Sequence, residues 1–598
     1  MAAVEVSDRI DMFRAKMRKR GIDMYIVPTS DFHNSEYVGD YFKARSYLTG
    51  FTGSAGTAVI TQEEAGLWTD GRYFIQAQKE LSDSPVTLYR MGEEGVPTVK
   101  EYVKENLCEG GCLGFDGRVV NGEAGELYAQ IAKEKQGSIA AEEDLVGVIW
   151  KERPPFPVNP AYILEEKYAG ESVSDKLCRL REKMEEKRAD IHILTSLYDI
   201  AWLFNIRGED IVHVPVVMSF AAVTMEACTW FVNPEALDDN LRSYCADNNI
   251  LLERYEGVYD YAKGISADKK VLLNKNIVNY RICSCLKAEI LQGTNPTEWM
   301  KAVKNETEIT NIRNAHVKDG VAFTKFMHWL KTHIGREEIS EISAAEYLKA
   351  RRQEQELFVD LSFDTISAYG ANAAMMHYLA TPETDEILQP GGFLLVDSGG
   401  HYLDGSTDIT RTLALGALSD EQKLYFTTVC RSNLNLAAAK FLYGCRGTSL
   451  DILARGPLWN LGLDYKCGTG HGVGYLLNVH EGPNALRWRQ LPEPNRDCVL
   501  EEGMVTTDEP GVYLEGKYGI RTENELLCKK AEKNEYGQFM EFEIITYAPI
   551  DLDAILPEEM TAAERRRLNA YHAMVYEKIS PFLDRQEREW LKEYTREI

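Results

Sequence analysis

FLLVDSGGHYLDGSTDITRT, at residues 393–412, joins an apolar run to two aspartates and several glycines. The run FLLV predicts a buried strand that ends at Asp397. The pair Asp404-Gly405 supplies turn chemistry, and a second strand then carries Asp408. A hairpin would place the two carboxylates side by side, which is costly in a protein interior unless a cation neutralises them. On this segment alone, two turn aspartates are an equally good interpretation.

Three later segments add one histidine and two further carboxylates. Glycines surround the histidine, so that backbone can approach closely and the imidazole can point inward. Taken singly, each of these residues also has an ordinary structural interpretation, such as a core or turn residue. Together with the two aspartates they form an oxygen-rich, nitrogen-poor ligand set, which suits two divalent ions such as Mn²⁺ held by bridging carboxylates. The segments are GTGHGVG (468–474, with His471), TTDEPGVY (506–513, with Glu509) and YGIRTENELL (518–527, with Glu523).

The first half of the chain contains an internal similarity. RKRGIDMYIVPTSD at 18–31 resembles EEKRADIHILTSLYD at 185–199, since each has a charged helix end, an apolar strand and a small-polar turn. Two copies of one α/β unit are the economical interpretation, with boundaries near 155 and 305; the alternative is chance similarity between two α/β domains. KERPPFPVNPAY at 151–162 has the proline content of a linker. The remaining chain alternates strands and helices and ends in a helical tail.

The length and net charge of the chain limit the kinds of fold and partner that we expect. A chain of 598 residues is too long for one hydrophobic core. With 93 acidic and 67 basic side chains, the net charge of −26 repels phosphate backbones, so we expect no nucleic-acid partner. No apolar stretch is long enough to span a membrane, and the N-terminus lacks a signal-peptide pattern. We therefore expect a cytoplasmic protein, in which the twelve scattered cysteines are reduced thiols.

In order along the chain, the motifs DSG, TDITRT, GTGHGVG, DEPG and GIRTEN resemble those of the aminopeptidase P (Xaa-Pro aminopeptidase) family in its long three-domain form. SAGTAVIT…GLWTDGRYF at 54–74 and DIAWLFNIRGEDI at 199–211 are similar to signatures of the two N-terminal domains. The resemblance implies an α/β (α+β) chain: two similar creatinase-like, ribonuclease-H-like domains at 1–155 and 156–305, then a pita-bread metallopeptidase domain at 306–598 with the helical tail.

The resemblance also implies a role for each of the five candidate ligands. Asp397 matches the ligand that holds one metal alone. Asp408 and Glu523 match the two bridging carboxylates. His471 and Glu509 match the remaining ligands of the other metal, and Glu509 is in addition the expected general base.

Five further residues follow from the same resemblance. His377, in AMMHY, matches the histidine that steadies the substrate and the tetrahedral intermediate, and His480, in NVHEGP, matches one that contacts the peptide near the scissile bond. Arg521 matches an arginine that orients the metal-site carboxylates. Arg72, in WTDGRYF, matches an arginine that reaches toward the site from a neighbouring subunit or domain. Cys467 departs from the family, which commonly has histidine there, and we expect it to line the substrate pocket.

The implied activity is hydrolysis of an N-terminal Xaa-Pro bond by a water molecule that two divalent metal ions, expected to be Mn²⁺, activate. The expected partners are peptides with proline at the second position and a second copy of the chain in a homodimer. A prolidase, which cleaves only Xaa-Pro dipeptides, is the alternative within the enzymes. A catalytically inactive pita-bread binding module is the alternative from another class, and a creatinase-like metal-free hydrolase is disfavoured because it would lack most of the ligands.

Overall fold

A computed structural model describes residues 5–489 and 497–598 in two compact units. Unit 1 comprises Met1–Leu164 and Glu171–Thr297, and unit 2 comprises Glu165–Gly170 and Glu298–Ile598. Unit 1 covers most of the two predicted N-terminal domains, whereas residues 165–170 and 298–305 of the second belong to unit 2. Among the described residues, no helix has both the length and the hydropathy to cross a membrane.

The helices of the described ranges follow one another along the chain as α1 (Val6–Arg20), α2 (Ala44–Thr49), α3 (Phe74–Glu80), α4 (Val99–Asn106), α5 (Gly122–Glu134), α6 (Leu145–Ile149), α7 (Glu166–Ala169), α8 (Val173–Glu186), α9 (Leu197–Phe204), α10 (Asp239–Asp247), α11 (Gly257–Gly264), α12 (Tyr280–Cys285), α13 (Pro296–Ala302), α14 (Glu306–His333), α15 (Glu341–Gln353), α16 (Asp420–Ala437), α17 (Gly447–Leu450), α18 (Ile452–Trp459), α19 (Ala562–Ile579) and α20 (Arg585–Tyr594).

The strands are β1 (Met24–Pro28), β2 (Thr57–Thr61), β3 (Ala65–Thr69), β4 (Thr87–Arg90), β5 (Cys112–Phe115), β6 (Ser138–Ala140), β7 (Tyr162–Ile163), β8 (Ile191–Leu194), β9 (Ile206–Arg207), β10 (Ser219–Thr224), β11 (Cys228–Val232), β12 (Ile250–Arg254), β13 (Lys270–Leu273), β14 (Glu289–Gln292), β15 (Phe358–Leu361), β16 (Ile366–Tyr369), β17 (Phe393–Ser398), β18 (Gly400–Tyr402), β19 (Gly405–Ser406), β20 (Ile409–Ala414), β21 (Lys440–Leu442), β22 (Gly470–Gly472), β23 (Glu481–Leu486), β24 (Val505–Asp508), β25 (Gly511–Leu514), β26 (Tyr518–Arg521), β27 (Asn524–Asn534) and β28 (Gly537–Ile544).

Unit 1 contains the same sheet twice. The first sheet has the order β4-β3-β2-β1-β5-β6 and the second has the order β12-β11-β10-β8-β13-β14. In each, the first strand in sequence pairs antiparallel with one neighbour and parallel with the other. Such a central strand is covered on both faces, and β8 (IHIL) is accordingly buried at every position. The internal similarity predicted from the sequence is therefore confirmed at the level of topology.

Unit 2 is organised around the long helix α14. A capping box fixes its start, because the Asn305 side chain accepts from the backbone of Glu308 and the Glu308 carboxylate accepts from the backbone of Asn305. The middle of the helix is buried on all sides, and Phe323 and Phe326 belong to a core that also contains apolar residues of β17 and β20. The short helix α13 precedes α14 in the chain.

The segment at 393–412 forms the predicted pair of strands, except that Asp408 lies just before the second strand and not within it. β17 pairs antiparallel with β20, and Asp397 lies opposite Thr410. A small hairpin, β18–β19, is inserted between the two strands and pairs with β15. Tyr402 anchors this insertion, because its buried hydroxyl donates to Asp319 at 2.9 Å. Asp397 and Asp408 consequently lie at the same end of the β17–β20 pair.

The helical tail is tied to the strands through Arg411 on β20. This fully buried guanidinium donates to Thr410 O, Glu523 O, Asn524 Oδ1, Ala548 O, Pro549 O and the hydroxyl of Tyr571. Tyr571 lies on α19, and its hydroxyl donates in turn to Ala548 O at 2.6 Å. All of these acceptors are neutral, so the hydrogen bonds must together replace the hydration of the charge.

We predict that Tyr571→Phe destabilises unit 2. The substitution keeps the buried ring but removes a hydroxyl that accepts from Arg411 and donates to Ala548 O. A hydrogen bond to a charged group contributes about 1.5–3 kcal/mol, which corresponds to a decrease in Tm of about 2–6 °C. Differential scanning calorimetry measures the change. Tyr576→Phe, at a half-buried position on the same helix, is the control; equal Tm values for the two variants would contradict the role given to Tyr571.

Candidate metal centre

Three predicted ligands from three separate segments of the chain meet in unit 2. Asp408 precedes β20, His471 lies within β22, and Glu523 follows β26. One potential ligand atom from each residue lies within 4.8 Å of the others. The Nε2 atom of His471 is 3.6 Å from Asp408 Oδ2 and 3.4 Å from Glu509 Oε1, which brings a fourth predicted ligand to the same place.

Glycines allow the strand that carries His471 to lie close to its neighbour. A Cβ atom on Gly470 would be 1.8 Å from the carbonyl oxygen of Thr507, so any other residue would push β22 away from β24. The Nδ1 atom of His471 is 2.9 Å from the carbonyl oxygen of Gly472. Because a carbonyl only accepts, Nδ1 carries the proton, and the lone pair of Nε2 faces the carboxylates.

Asp397, the fifth predicted ligand, is oriented by Arg521. One oxygen, Oδ2, accepts from Arg521 Nη2, whereas the buried Oδ1 has no hydrogen-bond partner. The same guanidinium donates to Thr410 Oγ1 at 3.1 Å and to the Tyr513 hydroxyl at 2.8 Å. Arg521 therefore orients a carboxylate by direct contact, and Asp397 keeps one oxygen available for a ligand.

Glu523 is fixed through Thr410. The hydroxyl of Thr410 donates to Glu523 Oε2 at 2.6 Å and accepts from Arg521. The backbone N–H of Glu523 also donates to Thr410 O at 3.1 Å. A hydroxyl has a single proton, so Thr410 donates that proton to Glu523 and not to Arg521. This hydrogen bond fixes the position of Oε2 of Glu523.

Burial and mutual repulsion dominate the electrostatics of the cluster. Burial, together with the charges of neighbouring carboxylates, raises the pKa of Asp408 and of Glu523 well above the usual range. Burial also raises the pKa of Glu509 to about 7, although Arg521 and His480 act to lower it. Like charges that share one site without water disfavour ionisation of each member.

The residues present fit divalent cations. A cation placed among these carboxylates would remove the repulsion that raises the pKa values, and it would satisfy the buried Oδ1 of Asp397 and the lone pair of His471. Four of the five residues offer carboxylate oxygens, and one offers an imidazole nitrogen. Such a donor set favours Mn²⁺ or a similar hard to borderline ion.

His480 and His377 lie around the cluster in different ways. The ring of His480 packs edge-on against that of His471, with 4.3 Å between the ring centroids. His377 lies in the segment between β16 and β17, next to Met376, whose carbonyl oxygen is 3.5 Å from Arg521 Nη2. Their expected contacts with substrate stay predictions.

Cys467 and Arg72 also keep their predicted roles as hypotheses. Cys467 is half-buried and packs with Tyr513 against an apolar cluster of unit 2, while its carbonyl oxygen accepts from Arg455 at 3.1 Å. Arg72 lies in unit 1, where Nε and Nη2 each donate to Asp70 at 2.8 Å and Nη1 lies 4.0 Å from Glu36.

Sequence reasoning missed several residues that support the ligands. Thr410 was detectable, because strand alternation in TDITRT puts it on the same face as Asp408. Glu525 was not: its fully buried carboxylate accepts from the backbone N–H of Asp408 at 2.7 Å and lies 3.2 Å from His316 Nε2 on α14. Strand alternation puts Glu525 on the same side as Glu523, but nothing in the sequence indicates that Asp408 and His316 are its partners.

Comparisons with known proteins agree with this architecture. The Creatinase/Prolidase N-terminal domain matches residues 9–146 and, in a second form, residues 152–308. Metallopeptidase family M24 matches residues 310–530, and the C-terminal region of M24 peptidases matches residues 538–598.

Three proteins that are similar to this chain over nearly its whole length are named as aminopeptidases P or X-prolyl aminopeptidase. "Probable Xaa-Pro aminopeptidase P" of Coprinopsis cinerea is 36% identical and covers 100% of this chain and 99% of its own. "Aminopeptidase P1" of Arabidopsis thaliana is 36% identical and covers 96% of this chain and 97% of its own. A solved structure of X-prolyl aminopeptidase from Caenorhabditis elegans, described as a cytosolic enzyme with a di-nuclear active site, matches with a TM-score of 0.95 at 34% identity over 100% of both chains.

We predict that Mn²⁺ raises the Tm more at pH 8 than at pH 6. Raised carboxyl pKa values mean that the metal-free folded protein retains protons that the unfolded chain has already lost, so its stability falls as pH rises through about 7. A bound cation removes this loss, and it competes with fewer protons at pH 8. Differential scanning fluorimetry with and without Mn²⁺ measures both shifts; an equal shift at the two pH values would contradict the cluster as the binding site.

Proposed function

The chain belongs to the Xaa-Pro aminopeptidase P family, and from that premise we propose how its candidate metal centre works. It is a metal-dependent aminopeptidase, a hydrolase that cleaves the peptide bond between an N-terminal residue and a following proline. The observation that carries this conclusion is the convergence of the predicted ligands in a chain that matches such enzymes along its entire length.

We propose that five side chains hold two divalent cations, and that the ions are Mn²⁺. Asp397 would hold one ion, His471 and Glu509 would hold the other, and Asp408 and Glu523 would contribute to both. The donor chemistry supports the choice of ion, because oxygen ligands dominate and no thiolate takes part. When bound, two such cations polarise the scissile carbonyl and lower the pKa of the attacking water.

Glu509 is the proposed general base. Its carboxylate lies among the candidate ligands, 3.4 Å from Nε2 of His471, where it would take a proton from the attacking water and deliver it to the proline nitrogen as the C–N bond breaks. His377 would donate to the oxyanion that develops on the carbonyl, and His480 would contact the peptide beside the scissile bond. Arg521 holds Asp397 in place throughout, through the contacts described above.

Selectivity for proline follows from the chemistry of the substrate. An Xaa-Pro bond lacks the backbone N–H, so enzymes that bind substrate as an extended strand lose a hydrogen bond there. We propose that a pocket shaped for the pyrrolidine ring replaces that interaction and that Cys467 lines it. A thiol is smaller and less polar than imidazole, so this pocket would be roomier and more apolar than one with histidine. Arg72 would reach the substrate from a neighbouring domain or subunit.

Prolidase activity is the alternative for the same metal centre. The full-length match to aminopeptidases P and the presence of both N-terminal domains favour the aminopeptidase. A catalytically inactive binding module is disfavoured, because it has no need to keep five ligand side chains. We further propose a homodimer in the cytoplasm, supported by the family resemblance and by the description of the nematode enzyme as cytosolic; light scattering at micromolar concentration tests the dimer.

We predict that the purified protein, loaded with Mn²⁺, releases arginine from Arg-Pro-Pro peptides. A chelator should abolish the activity, because the carboxylate cluster does not act without its cations, and added Mn²⁺ should restore it. Gly-Pro, assayed in parallel, separates the two enzyme functions. Turnover of the dipeptide alone would support a prolidase, and full activity in chelator would contradict a metal-dependent mechanism.

We predict that Glu509→Gln lowers kcat by at least about 10³-fold while the fold is retained. The amide cannot take up a proton and is a poorer ligand. Glu515→Gln, at an exposed position in the turn of the β25–β26 hairpin, is the matched control and should leave kcat unchanged. Circular dichroism verifies the fold of both variants. A folded Glu509→Gln protein with the wild-type rate would contradict both roles of this residue.

A further inference from the structure

Glu341 presents a buried carboxylate that no part of the proposed mechanism uses. It is the first residue of α15 and is fully buried. Four groups of one chain segment converge on it. They are the Tyr369 N–H at 2.6 Å, the Asn372 amide at 3.1 and 3.3 Å, the Tyr378 hydroxyl at 2.8 Å and the Glu386 N–H at 3.2 Å.

The segment that these groups belong to, residues 369–386, leads from β16 toward β17 and carries His377. We call it the His377 loop. Tyr378, directly after the histidine, packs its ring into a small apolar cluster with Ala373 and Leu395 while its hydroxyl meets Glu341. On the other side of the histidine, the carbonyl oxygen of Met376 lies 3.5 Å from Arg521. The residues on both sides of His377 are therefore held, one by Glu341 and one by the metal-centre arginine.

A simple role at the helix terminus does not account for this arrangement. An acidic residue in the first turn of a helix is favourable when it is exposed, through the helix dipole, and needs no burial. Removing a carboxylate from water is costly unless hydrogen bonds replace its hydration. Here the donors all come from one loop, and together they replace the water that burial removes from the carboxylate. The carboxylate thus has the loop as its main hydrogen-bonding partner.

We propose that Glu341 is a positioning residue that holds His377 in place for the reaction. It does not touch substrate or metal itself, and it acts by fixing the backbone and the tyrosine on which the histidine depends. This proposal rests on the proposed function in one respect, since it takes His377 as the group that meets the developing oxyanion.

A double-mutant cycle tests whether Glu341 acts through His377. His377→Ala should lower kcat on Arg-Pro-Pro by about 10²-fold, as expected for loss of an oxyanion donor. Glu341→Ala should lower kcat by about tenfold with a smaller change in KM and unchanged Mn²⁺ content. The double variant should be no slower than His377→Ala, because two residues that act as one unit are not additive. A double variant slowed by the product of the two effects would overturn the proposal.

Hydrogen exchange supplies a readout that does not depend on activity. In Glu341→Ala, peptides from the His377 loop should exchange faster, whereas peptides covering 393–412 and 505–527 should keep their wild-type rates. Glu346→Ala, an exposed position on the same helix, is the control and should change neither exchange nor kcat. Tyr378→Phe keeps the ring in its cluster but removes one donor to Glu341. It should speed exchange of the His377 loop and lower kcat, each by less than Glu341→Ala does.

The outcomes separate the two proposals. A wild-type protein that does not cleave Arg-Pro-Pro would refute the proposed function, and loop exchange would then decide alone whether Glu341 orders the His377 loop. A wild-type enzyme that is active, combined with unchanged loop exchange and kcat in a folded Glu341→Ala variant, would refute the positioning role only.

Discussion

The mutual repulsion of buried carboxylates is the constraint on which unit 2 depends. Asp408 and Glu523 are both fully or almost fully buried beside Glu509; after burial itself, the charge of Glu523 raises the pKa of Asp408, and the charge of Glu509 raises the pKa of Glu523. Such a cluster is tolerated only where cations or strong donors compensate for it. The carboxylates lie at the ends of separate strands. The strands that form the core therefore also bring several negative charges close together.

Rigid hydrogen bonding keeps this charge in position. Arg521 donates to Oδ2 of Asp397, and Thr410 donates to Oε2 of Glu523. Glu525 accepts from the backbone N–H of Asp408. Arg411 donates only to neutral acceptors, and one of them, the hydroxyl of Tyr571, belongs to helix α19 of the helical tail. The helical tail is thereby part of the scaffold of the metal centre, although it contributes no ligand.

The repeat in unit 1 and the candidate metal ligands were predictable, because each is marked by a short, local sequence pattern. The repeat in unit 1 shows as two similar strand-and-turn patterns, and the structure gives both copies the same strand order. The predicted ligands stand in short glycine-rich motifs, whose glycines are required by close backbone contacts such as that of Gly470 with Thr507. By contrast, Glu341 and Glu525 are ordinary glutamates in sequence. Their burial depends on donors 28 to 117 residues away along the chain, which no local pattern reveals.

The central claim is that Asp397, Asp408, His471, Glu509 and Glu523 together hold two divalent cations. Anomalous X-ray scattering tests this most directly: crystals grown with Mn²⁺ would be measured on both sides of the manganese absorption edge. The account predicts two anomalous peaks among these five side chains that disappear below the edge. A single peak, or two peaks elsewhere in the chain, would contradict it.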